Sequence, residues 1–183
     1  MKRVVDVVVL VVLVALVVFF AVPSVAQHKY VGVTMCSACH KSEKQGKQSD
    51  IWKASKHAGA FKTLESPKAD EIAKAKGLKT KASEAPECLK CHVTGYGADA
   101  ALTGALKMQD GVQCESCHGP GSDYKSIPVM KDKAKAVAAG LVISKDDPKL
   151  CTKCHNSESP VFKEFNYKTA WEKIKHPIPL ATK

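Results

Sequence analysis

Four times the chain repeats one short pattern: Cys36-Ser37-Ala38-Cys39-His40, Cys88-Leu89-Lys90-Cys91-His92, Cys114-Glu115-Ser116-Cys117-His118 and Cys151-Thr152-Lys153-Cys154-His155. Together they use all 8 cysteines, and a histidine follows every pair. Residues at i, i+3 and i+4 share one helical face. Two thiols can therefore bond one edge of a flat group while a ring nitrogen on the same face reaches a metal at its centre. C-x-x-C-H is the signature of c-type haem attachment, with the histidine as proximal iron ligand. Histidine is only 7 of 183 residues, so four independent pairs would all be followed by histidine in about two chains per million. Two four-cysteine zinc sites or a disulfide framework would use the pairs but leave the histidines without a purpose. The expected cofactors are four haem c groups, held as thioethers by Cys36, Cys39, Cys88, Cys91, Cys114, Cys117, Cys151 and Cys154, with His40, His92, His118 and His155 on the irons.

The N-terminus reads as an export signal. Lys2 and Arg3 precede an apolar run from Val7 to Val22, Pro23 breaks it, and Ser24-Val25-Ala26 supplies the small residues of a cleavage site. Residues 1–26 are expected to be removed, leaving 27–183 as one domain in the periplasm or outside the cell, with no membrane contact after cleavage. The formal net charge of +10 comes from lysines dispersed along the chain. With 2 tryptophans, 4 tyrosines and 5 phenylalanines to stack on bases, nucleic acid is excluded as a partner. Such a surface suits docking to acidic redox proteins.

Few aromatic side chains are present to fill an interior, so the haems are expected to form much of it. The motifs start at 36, 88, 114 and 151, too unevenly for a solenoid. The expected architecture is mostly α: helices and loops wrapped around a four-haem cluster, with little β. Ser49-Asp50 is expected to cap a helix through Trp52 and His57 to Leu64. Ser66-Pro67 opens a second helix and Gly77 closes it, with a loop over 80–87. Gly95, Gly97, Gly104 and Gly111 mark an irregular stretch with room for short strands. Gly119-Pro120-Gly121 stops the third motif's helix at once. A lysine-rich helix is expected from Val129 to Ala139 with Gly140 at its end, Asp147-Pro148 starts the fourth motif's helix, and Tyr167 to Lys175 forms the last.

Four irons face three spare histidines: His28, His57 and His176. At least one iron must take methionine, a ligand from another subunit, or no strong ligand. His57 lies among Trp52, Ala58 and Phe61, and His176 is fixed by Pro177, so both are candidate distal ligands. Met130 and His28 are the remaining candidates. Each has a bland alternative, as core filler and as a free terminal side chain.

Several runs resemble the tetrahaem cytochrome c-554 family: Cys36-Ser37-Ala38-Cys39-His40-Lys41, Lys56-His57-Ala58, residues 88–97 from Cys88 to Gly97, and residues 111–121 from Gly111 through Cys114-Glu115-Ser116-Cys117-His118 to Gly121. The last, with its Gly-Pro-Gly tail, is the most specific. That family includes the periplasmic carrier that accepts electrons from hydroxylamine oxidation in nitrifying bacteria. The resemblance implies a mostly helical fold with haems in closely spaced pairs, three bis-histidine and one open. It implies His57 as distal ligand to the haem of His118 and His176 to that of His155, with the haem of His92 open. A family histidine that follows the Gly-Pro-Gly turn is missing here, which leaves Met130 or His28 for the haem of His40.

Three functions follow. The leading one is an electron carrier between redox partner proteins. A second is a subunit of an extracellular cytochrome filament, with His28 ligating a neighbour's haem. A third is reduction of a small nitrogen or sulfur oxide at an open iron, against which stands the absence of any arginine after Arg3.

Overall fold

The computed structural model describes residues 27–145 and 147–177. The expected signal segment and its cleavage site lie outside the described residues. Within these, every regular element is helical and no strand occurs.

The first motif closes helix α1 (Gly32–His40). Helix α2 (Gln48–Lys53) follows. Here the structure departs from the single long helix expected to Leu64, because the chain turns through 54–59 before α3 (Ala60–Leu64). The break has a partner that lies far away in sequence: the His57 carbonyl accepts from Val112 N–H at 3.0 Å as well as from Ala60 N–H at 3.2 Å, which turns it off the course of a continuous helix. Gly111 permits that approach. Its φ is +64°, and a Cβ there would meet His57 O at 2.6 Å and Ala58 O at 2.9 Å.

Helix α4 (Pro67–Ala75) begins as expected, with the Ser66 side chain accepting from Ala69 N–H and Pro67 at the first position, where its missing N–H costs nothing. Helix α5 (Pro86–His92) carries the second motif. Phe61 and Leu64 of α3, Ala69 and Ala73 of α4, and Leu89 of α5 form the main apolar cluster with Ala82 and Val93. The glycine-rich stretch holds a short helix, α6 (Ala100–Thr103), and a 3-10 turn at Met108–Asp110 instead of strands.

Helix α7 (Glu115–His118) is a single turn ended by Gly119. The expected 129–139 helix is split into α8 (Ile127–Met130) and α9 (Lys133–Ala138), because the Asp132 side chain caps the second piece by accepting from Lys135 N–H. The last two elements are α10 (Pro148–Thr152), capped by Asp147, and α11 (Tyr167–Ile174), capped by Asn166. Among the described residues no large side chain is fully buried, as expected of a chain whose interior is not made of side chains alone. No helix there is long and apolar enough to cross a membrane.

Candidate haem-binding site

All eight cysteines are free thiols, and among the described residues no group of three or more His, Cys, Asp or Glu side chains converges on a common point. The motifs nevertheless lie side by side. The Cys36 and Cys114 thiols share a hydrogen bond, which with burial raises the Cys36 pKa. Burial and its neighbour Cys91 push Cys154 up to about 12. Burial pushes Cys117 up to about 11, with Cys151 adding to it.

The histidines fall into two facing sets. The His57 and His155 rings lie 6.1 Å apart, and those of His118 and His176 lie 5.8 Å apart. A separation near 6 Å leaves room for one metal atom bonded to a nitrogen of each ring at about 2 Å per bond. Burial lowers the pKa of His57, His118 and His155, which favours the neutral imidazole that binds metal. Two proximal candidates have their tautomer set as well. His92 Nδ1 donates to Ala60 O at 2.8 Å and His118 Nδ1 donates to Val142 O at 3.1 Å. With Nδ1 committed to a carbonyl, Nε2 carries the lone pair offered to iron. His155 is held differently, stacked on Phe165 at 4.8 Å with the planes 17° apart. This donor set, thiol pairs beside neutral imidazoles in opposed couples, fits haem.

The model of the family described as cytochrome c554 and c-prime matches residues 35–119. Cytochrome c-554 of Nitrosomonas europaea is 30% identical over 158 residues, spanning 83% of this chain and 65% of that protein's length. The solved structure of reduced cytochrome c554 from the same organism aligns with a TM-score of 0.55 at 25% identity, over 81% of this chain and 79% of that one. The chain is similar to the cytochromes c-554 in sequence and in fold. Its four attachment motifs make it a tetrahaem c-type cytochrome, and the fold is the helical multihaem fold of that family.

The ring couples run across the pairing that the resemblance implies. His57 faces His155 and not His118, while His176 faces His118 and not His155. The turn at 54–59, tied to Val112, takes His57 away from the course a continuous helix would have followed. Of the other two candidates, Met130 ends α8 half-buried. His28 is engaged within its own chain: its Nδ1 pairs with Asp123 Oδ2 at 2.9 Å, and its ring lies over Gly140.

Sequence reasoning missed the polar residues around the third motif. Gln113 and Glu115 are 2% and 3% exposed. Gln113 Oε1 accepts from Val33 N–H at 2.7 Å, and Glu115 accepts from Val31, Gly32 and Gly121. Tyr124 donates its hydroxyl to Gly119 O at 2.7 Å. The only signal for Glu115 was its place between two attachment cysteines, which the motif reading treats as a free position.

Proposed function

We propose that this protein is an exported electron carrier that passes electrons among four haems and exchanges them with redox partner proteins. One observation carries the reading: the four motifs are adjacent in space in the order first, third, fourth, second. Cys36 lies against Cys114, Cys117 is near Cys151 and Cys154, and Cys154 contacts Cys91. A chain that only needed four separate cofactors would have no reason to bring its attachment points into such a series.

Bound haem supplies a reversible one-electron iron couple whose potential follows its axial ligands and burial. The residues do the rest. The paired cysteines fix each porphyrin edge. His155 and His57 would hold one iron, and His118 and His176 another, as paired neutral imidazoles. Ala60 O and Val142 O orient the His92 and His118 rings through Nδ1. His40 lies near enough to His118 to act on it electrostatically. The lysine surface steers acidic partners, so association should slow as salt is added. Export to the periplasm is the compartment in which such attachment and exchange take place.

The test is low-temperature paramagnetic resonance of the four-haem protein, with haem number fixed by intact mass and pyridine haemochrome. His57→Ala and His176→Ala should each convert one low-spin haem to high-spin, on the haems of His155 and His118 respectively. Unchanged spectra in both variants would remove the ligand assignment, and a colourless product of bare-polypeptide mass would remove the function. A high-spin signal in the wild type that shifts with nitric oxide or nitrite would favour catalysis at an open iron.

A further inference from the structure

The buried carboxylate of Glu115 is used by none of these roles. It sits inside the third motif, and its oxygens gather three backbone donors from two other segments. Oε1 accepts from Val31 N–H at 2.9 Å and Gly121 N–H at 2.7 Å, and Oε2 accepts from Gly32 N–H at 2.8 Å and Val31 N–H at 3.2 Å. Val31 and Gly32 begin α1, the helix that ends in the first motif, and Gly121 belongs to the turn just after the third. Gln113 adds a fourth tie by accepting from Val33 N–H. Among the described residues no cation pairs with the carboxylate, so its partners are neutral amides. The Cys36 and Cys114 thiols, one from each motif, share a hydrogen bond in the same neighbourhood. The Glu115 charge adds to the larger effects of that bond and of burial in raising Cys36, and to burial and Cys36 in raising Tyr124.

We infer that Glu115 is a positioning residue for the first and third haems: its carboxylate locks α1 against the third motif and, as a buried fixed charge, holds those two irons toward the ferric state. The physical basis is short. Backbone N–H groups at a helix start carry partial positive charge and satisfy an anion well. Negative charge in a water-poor site acts strongly on a neighbouring charge change, and reduction of iron adds an electron. The fourth motif meets the third only at its Cys117 side, and the second lies beyond the fourth, so the effect on their irons should be much smaller.

The inference rests on the four-haem reading, and its test is built to fail separately. Redox titration of the four-haem protein, followed optically and by paramagnetic resonance, is compared for wild type, Glu115→Gln and Glu115→Asp. Glu115→Gln should raise two of the four midpoint potentials and leave the other two in place, while Glu115→Asp, which keeps the charge, should stay nearer wild type. Four unmoved potentials, or four moved alike, would overturn it with haem attachment untouched; a wild type lacking four haems would fail the earlier reading instead. If Glu115→Gln does not load four haems, amide hydrogen exchange on the wild type decides. Val31, Gly32 and Gly121 should be slow and exchange together, and rapid independent exchange overturns the lock.

Discussion

The segments around the first and third motifs and the segment around the fourth are held by different means. The first region is stitched by polar groups reaching across the sequence. Lys29 N–H donates to Ser122 Oγ and Ser122 N–H to Lys29 O. Glu115 and Gln113 take the amides at the start of α1, and residue 142 clamps His118 at both ends, giving its N–H to the His118 carbonyl and its carbonyl to Nδ1. The fourth-motif segment, residues 147–177, caps its helices locally, and neither α10 nor α11 contains a buried residue. Its ties to the remainder include Glu158 with Lys76 and Lys90, Pro177 O accepting from Gln48, and the Cys154–Cys91 approach. Exposed pairs of that kind are screened by solvent and contribute little. Its strongest approaches to the rest of the chain are the His57–His155 and His118–His176 ring couples. One region is joined by backbone and side-chain polar bonds, and the other meets the rest of the chain through its histidines and cysteines.

The hardest test of that contrast removes one attachment. Cys151→Ser with Cys154→Ser should yield a three-haem protein by intact mass, in which limited proteolysis cuts first within 147–177. Melting of that segment also withdraws His176, so the haem of His118 should turn high-spin. Cleavage beginning instead at residues 28–33, or loss of every haem, would show that the two regions do not differ as described.

Next in size is Gly111→Ala, which sharpens the comparison by attacking the link between the regions. The new Cβ would press on His57 O and Ala58 O at a φ of +64°, and a cost of about 3 kcal/mol is expected. His57 would be displaced from His155, so a high-spin signal should accompany the loss of stability. A low-spin variant with an unchanged denaturation midpoint would mean that the 54–59 turn does not depend on this contact.

Gln113→Ala probes the stitched region alone. It leaves Val33 N–H without a partner in a buried site, at about 2 kcal/mol. The fourth haem's spectrum should not change, and a change there would make the two regions one.

These residues also mark where the sequence was legible. The motifs announced the cofactors because thioether chemistry requires cysteines three apart, whatever the fold. Ser66, Asp147 and the Gly119-Pro120-Gly121 stop were readable because caps and turns are local chemistry. The 54–59 break was not, since its cause is a carbonyl claimed by Val112 far along the chain. The ring couples were likewise hidden: which histidine faces which depends on that break. Glu115 and Gln113 looked like spacers because nothing in a one-dimensional pattern shows which amides they will face.

Phe165→Leu makes a subtler change in the haem-assembled region. Phe165 lies flat on His155 and so fixes its plane, which stands at 62° to that of His57. Loss of the stack costs within about 1 kcal/mol. Since magnetic anisotropy of a low-spin haem follows the angle between its axial rings, one of the four signals should move in g-value while haem content stays fixed. Phe165→Tyr, which keeps the ring, should restore the wild-type signal.

The smallest effect belongs to the stitched region and is set by pH. The Ser122 hydroxyl and the His28 ring hold Asp123 below the usual carboxylate range. A group whose pKa is lowered by folding stabilises the folded state above its ordinary value and ceases to do so as pH falls through the lowered one. The clasp joining His28 to the turn after the third motif should therefore be intact at neutral pH and open in acid. Hydrogen exchange at Lys29 and Ser122, corrected for intrinsic rates, should quicken on acidification in the wild type but be already fast and pH-independent in Asp123→Asn. Because this side chain is exposed, the global midpoint should scarcely move.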